Sequence, residues 1–119
     1  MMWYKNLKTS SYEESNEEWL ERHKIIREGD YYVFFHGSRA IFDELNANSL
    51  LEDSPERARD FGDTNYLADK RLKLHVYKVL VKPEDIITGF WAKTNKKLSV
   101  IPLSKKEQDY YNRIKKEGA

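Results

Sequence analysis

Apolar and polar positions along the chain switch repeatedly between a helical and a strand period, and each switch marks an element. Ser15 is followed three residues later by Glu18, the capping-box spacing. Trp19, Leu20, His23 and Ile26 then share one helical face, so a helix is expected up to a glycine stop at Gly29. Tyr31 to His36 (YYVFFH) is an unbroken run of β-formers and predicts a buried strand, closed by Gly37-Ser38. Residues 39–45 suit a short helical turn and Leu50-Leu51 a brief strand. Ser54-Pro55-Glu56 supplies an N-cap, a proline at the first helical position and an acidic first turn. A second helix is therefore expected to about Phe61, with Ala58 and Phe61 facing inward and Gly62 as its stop.

Residues 63–71 are polar around Tyr66 and predict a loop. Leu72 to Val81 is apolar on both faces, Leu74, Val76 and Leu80 on one and His75, Tyr77, Val79 and Val81 on the other, which places it centrally in a sheet. Pro83 to Asp85 reads as a turn or a single helical turn and Ile86 to Trp91 as a strand. Residues 94–97 read as a hairpin connection and Leu98 to Leu103 as the return strand, which Pro102 limits to an edge or places at a strand end. Ser104 with Glu107 caps a last helix whose apolar face is Tyr110, Tyr111 and Ile114. Few residues are left for parallel crossovers. The expected class is α+β, a small split antiparallel or mixed sheet with flanking helices, in a single domain over 1–119. It divides into an N-terminal helical segment to about 29, a core over about 31–103 and a C-terminal helix over about 104–117.

Composition narrows the function. Aromatic residues make up 13% of the chain, too many for a disordered segment and enough to fill a small core. The net charge of +1 gives no global field to draw the chain to nucleic acid or to an anionic membrane. With no cysteine there is no disulfide framework, thiolate zinc site or thiol nucleophile, and His23, His36 and His75 make a poor metal set, so no metal is expected. No apolar run is long enough to span a bilayer, and residues 1–15 lack the apolar stretch of a signal peptide. A cytoplasmic address is the expectation.

The most informative segment is Phe34-Phe35-His36-Gly37-Ser38. A histidine that closes a buried strand leaves the core where a ligand can be met. Its imidazole can hydrogen-bond a ribose or a carbonyl, Gly37 permits close approach to the backbone, and Ser38 adds a hydroxyl. An ordinary strand-end histidine followed by a Gly-Ser turn fits the same residues. Arg57 and Arg59 suit a phosphate or a solvated helix face. Lys93, Lys96, Lys97, Lys105 and Lys106 interleave with Trp91, Tyr110 and Tyr111, a pattern that suits single-stranded nucleic acid or a solvated surface.

The FFHGS segment resembles the opening strand of the ADP-ribosyltransferase superfamily, in the branch whose motif begins His-Gly-Ser or His-Gly-Thr. Residues 50–62 (LLEDSPERARDFG) are similar to that family's second block, a strand leading into an S-P-x-x-A helix, and residues 76–86 to the strand and turn that follow. The three pieces keep the family's order and cover about half the chain. The resemblance implies an ADP-ribosyltransferase-like fold and NAD as a substrate whose nicotinamide leaves during glycosyl transfer to a macromolecular or small-molecule acceptor. It implies His36 on the ribose, Gly37 against the nicotinamide amide, Ser38 in support, and Arg39 toward a phosphate. The family's stacking tyrosine is replaced here by Leu50 and Leu51, which leaves Tyr66 and Tyr77 as candidates for that ring. Its late-strand glutamate has no counterpart in Lys96 to Ile101, which leaves Glu84 as a substitute acid. These departures keep open a degenerate NAD-binding relative. They also keep open a non-catalytic interaction or inhibitor protein, of phage or toxin–antitoxin type, that uses the same scaffold to bind a protein or nucleic acid.

Overall fold

The computed structural model describes residues 14–65 and 68–118. Three described helices, α1 (Asn16–Arg22), α2 (Pro55–Asp63) and α3 (Lys105–Lys116), flank short strands in a mixed α+β arrangement. The strands are β1 (Ile26–Glu28), β2 (Tyr31–Ser38), β3 (Glu44–Leu45), β4 (His75–Val81), β5 (Ile86–Ile87), β6 (Lys93–Thr94), β7 (Leu98–Ser99) and β8 (Ile101–Pro102). The main sheet is antiparallel, in the order β1-β2-β4-β8, with two-stranded pairs β3-β7 and β5-β6 beside it.

Each helix begins where its serine allows. Ser15, Ser54 and Ser104 accept a hydrogen bond from the backbone N–H of Glu18, Arg57 and Glu107, and the first and last complete a capping box. The pair β2 and β4 forms the centre, in register from Tyr32 opposite Val81 to Ser38 opposite His75. One face packs Tyr32, Phe34, Val79 and Val81 against Trp19, Leu20, Leu51 and Ile86. The other packs Val33, Phe35 and Val76 against Ala58 and Tyr111. Both faces are covered, which is why these two strands read as continuous apolar runs. Pro102 lies on the edge strand β8, where its missing N–H costs no ladder bond.

Several local expectations give way to tertiary pairing. The first helix stops at Arg22, Lys24 takes a left-handed backbone (φ 53°), and Ile26 to Glu28 turn back as a strand on β2. Gly29, at φ 62°, opens the two-residue hairpin turn between them rather than closing a helix. Residues 39–45 form no helical turn; Glu44-Leu45 pairs with Leu98-Ser99. The Leu50-Leu51 strand is reduced to single bridges, Leu50 to Lys93 and Glu52 to Phe35. The fourth strand begins at His75, not Leu72, and the Ile86–Trp91 strand shrinks to Ile86-Ile87. The expected 94–97 hairpin does not pair its own flanks. Thr94, wholly buried, donates its hydroxyl to the Asn46 carbonyl and accepts from the Ser49 N–H, which draws this segment to the 46–49 loop. Helix α2 runs through Gly62 to Asp63 and turns Phe61 outward. On α3, Tyr111 is buried and Tyr110 is about half exposed, so only one of that pair faces the core.

A polar triad ties α3 to the sheet. Lys78 Nζ donates to Glu28 Oε1 at 2.8 Å and to the Tyr111 hydroxyl at 2.7 Å, and that hydroxyl donates to Glu28 Oε2. Burial raises the Glu28 pKa, but the hydrogen bonds from Lys78 and Tyr111 outweigh it and hold the carboxyl below its ordinary value of 4.5. Its contribution is therefore fully present above that value and is lost as pH falls through the lowered folded-state pKa. Lys78→Met should lower Tm by about 5 °C at neutral pH. The gap to wild type should narrow below pH 4.5, as followed by circular dichroism melts.

Candidate functional site

The site is set by how closely α2 lies on the end of β2. A Cβ added to Gly37 would sit 2.0 Å from the Ala58 carbonyl oxygen, and one added to Gly62 would sit 2.9 Å from the Gly37 carbonyl carbon and 2.8 Å from Leu74 Cδ1. Glycine thus meets helix backbone and glycine meets glycine, a contact that no residue with a Cβ can make. The approach that Gly37 permits is used by the helix, where the sequence pointed to a ligand. It leaves Arg57 and Phe61, one turn apart, on the outer face of α2 beside the strand end.

Between Phe61 and the end of β2 lies a cavity of about 360 Å³, with His36, Ser38, Arg39, Asn65 and Leu72 in its wall. His36 Nδ1 is 2.8 Å from the Leu50 carbonyl oxygen. That partner accepts only, so Nδ1 carries the hydrogen and Nε2 of the neutral ring is left as an acceptor. Burial lowers the His36 pKa from its ordinary 6.5, against a smaller upward pull from the Leu50 carbonyl, so the ring is neutral at pH 7. Ser38 Oγ accepts from the Ala40 N–H at 3.0 Å, which leaves its own hydrogen to donate.

Arg39 is more committed than the sequence suggests. Its Nη1 donates to the Leu72 carbonyl at 2.5 Å and its Nη2 to Asp63 Oδ1 at 2.8 Å, so it clamps both ends of the 63–72 loop to the strand end. Its Nε is buried without a partner. Beyond it lies a second hollow of about 390 Å³, walled by Arg59, Lys73 and Leu74 among others.

The remaining candidates are dispersed. Tyr77 lies opposite His36 in the ladder but is 2% exposed, with its hydroxyl bonded to the Ala40 carbonyl and its ring against Phe42. It has no free face on which a ligand ring can stack. Tyr66 lies outside the described residues. Glu84 is exposed and follows the Val81 end of β4, whereas His36 lies toward the His75 end, so the proposed acid is remote from the histidine. Two carboxylates, Asp63 and Asp69, are near the cavity, and they pair with Arg39 and Arg71. Of the five lysines, Lys96 pairs with Asp85 and Lys105 with Asp109. The rings expected to interleave with them stand instead against Arg57 (Trp91), Arg113 (Tyr110) and Lys78 (Tyr111).

One participant escaped the sequence reading. Phe61, assigned there to the core, is 45% exposed and is an aromatic ring that the His36 cavity presents. Glu52 is 7% exposed, and burial raises its carboxyl pKa. Among the described residues, no three His, Asp or Glu side chains converge as a metal would require, and no helix is long and apolar enough to cross a membrane. No protein-family model, curated protein or solved structure matches the chain.

The glycine contact generates a direct test. Gly37→Ala should force α2 off the sheet and lower Tm by roughly 10 °C or more, whereas Gly89→Ala, with nothing within 4 Å of the added Cβ, should leave Tm nearly unchanged.

Proposed function

We propose that the His36 cavity binds the nicotinamide-ribose end of NAD, and that the protein is a small NAD-binding relative of the ADP-ribosyltransferases. The observation that carries this reading is the state of His36. A neutral imidazole, fixed through Nδ1, offers Nε2 as an acceptor in a cavity that also holds a donor hydroxyl and an exposed ring. A ribose hydroxyl donates to Nε2, Ser38 donates to a ligand oxygen, and the nicotinamide stacks on Phe61 in place of the tyrosine that the sequence lacks.

At about 360 Å³ the cavity suits one end of a dinucleotide and not the whole. The pyrophosphate then passes Arg39 toward Arg59 and Lys73, which share the wall of the adjoining hollow with Asp60 and with the Asp63 that Arg39 pairs. Glycosyl transfer also needs negative charge beside the cation that develops as nicotinamide leaves. Asp63 and Asp69 are held by arginines and Glu84 is remote. The chain accordingly holds NAD with slow or no turnover.

The test is calorimetric titration with NAD, with nicotinamide release followed in the same sample. His36→Ala should weaken binding at least tenfold and Phe61→Ala about tenfold, each with an unchanged circular dichroism spectrum. Affinity should fall as pH drops below the ordinary histidine value of 6.5, because protonation turns Nε2 from acceptor to donor. Absence of binding at millimolar NAD, or a His36→Ala protein that binds like wild type, would remove the reading. Fast nicotinamide release would restore a full transferase.

A further inference from the structure

A third hollow, of about 460 Å³, is walled by Leu50, Glu52, Arg57, Phe90 and Trp91. Its chemistry differs from that of the His36 cavity. Glu52 is fixed by two backbone hydrogen bonds to Phe35, both 2.8 Å, and its side chain is 9% exposed. The cation that faces it is Arg57, whose Nε stands 3.6 Å from Glu52 Oε1 and 3.6 Å from Asp53 Oδ1. Neither distance is that of a hydrogen bond, and Asp53 Oδ1 is buried with no donor. Asp53 Oδ2 is 3.6 Å from Lys115 Nζ, which gives two of its three hydrogens to the carbonyls of His23 and Lys24. Two confined carboxylates thus share one guanidinium, which stands at ion-pair distance, 3.6 Å, from each.

That guanidinium is 61% exposed and lies 5.3 Å over the Trp91 ring. Trp91 is held from behind by the rings of Trp19 and His23. Beside it Phe90 is fully exposed. A large apolar side chain thus stands wholly in water next to a fixed tryptophan and a nine-tenths buried carboxylate. Burial holds the Glu52 carboxyl above its ordinary value, against a downward pull from the Arg57 guanidinium.

We propose that this hollow receives an arginine side chain of a partner protein, and that Arg57 holds its place in the free molecule. A guanidinium arriving from outside stacks on Trp91 and presents two parallel N–H groups to Glu52, an approach that Arg57 does not achieve from its own helix. Phe90 covers the aliphatic stem of the incoming residue. Lysine fits less well, because a compact ammonium neither stacks as a plane nor fills both carboxylate oxygens. The inference does not require NAD at the His36 cavity.

The probe is a blocked Gly-Arg-Gly tripeptide, titrated by calorimetry into the whole chain beside its citrulline counterpart, which keeps the shape and loses the charge. Wild type should bind the arginine peptide at millimolar concentration and the citrulline peptide at least tenfold more weakly. Arg57→Ala removes the internal competitor and should tighten arginine binding threefold or more, while NAD binding at the other cavity stays unchanged. Glu52→Gln should weaken arginine binding at least tenfold; if that variant does not fold, the Arg57→Ala and citrulline comparisons still decide. Equal binding of the two peptides, preference for a Gly-Glu-Gly peptide, or no arginine binding to Arg57→Ala would overturn the proposal. Weaker arginine and NAD binding together in Arg57→Ala would also overturn it and place Arg57 in the nucleotide site.

Discussion

The backbone-to-backbone contact between α2 and β2 governs the rest of the structure. The Ala58 carbonyl occupies the space where any side chain at residue 37 would begin. Helix α2 is nine residues long and buries little apolar surface beyond Pro55 and Ala58, so propensity alone would not hold it. It is held by intimacy of fit: glycine against glycine, with Ser54 satisfying the first turn and Arg39 bonding Asp63 at the last. The helix then acts as a partition. Its buried side completes the core, and its outer side carries Phe61 into one hollow and Arg57 into another.

The segment from Leu50 to Asp53 serves both hollows. The Leu50 carbonyl fixes the tautomer of His36, while the Leu50 side chain helps to wall the Trp91 hollow. One residue on, Leu51 is core, and after it Glu52 is locked to Phe35 by a pair of backbone bonds. Alternation along an extended segment does this with four residues, because successive side chains leave on opposite faces. The same short piece of chain thus fixes the His36 ring and carries the Glu52 carboxylate.

What could be seen in the sequence was local. The three serine caps, the β-forming run of β2, the two-faced apolar pattern of β4 and the edge position of Pro102 each depend on neighbours within a few residues, and each is found in place. His36-Gly37-Ser38 was visible as a strand end for the same reason. What could not be seen depends on register and crossing. Whether Gly37 faces a ligand or a helix is decided by where α2 lands, and that also turns Phe61 outward. Tyr77 looked available until Phe42 and the Ala40 carbonyl were brought against it by the chain after β2. Glycine after Ile-Ile-Arg-Glu satisfies a helix stop and a hairpin turn equally, and pairing with β2 selects the hairpin. Glu84 was close in sequence to a plausible strand but is carried by it to the wrong end of the sheet.

The ladder between β2 and β4 also has a consequence for synthesis. Tyr32 finds its partner only at Val81, and Phe34 at Val79. A ribosome therefore releases the Tyr-Tyr-Val-Phe-Phe run long before the strand that covers it has left the exit tunnel. During that interval the run has β1 to pair with on one side and an open edge on the other, a sticky template for a neighbouring nascent chain. Charged residues on both flanks, Arg27 and Glu28 before it and Arg39 after it, stand where gatekeepers against such association are usually found.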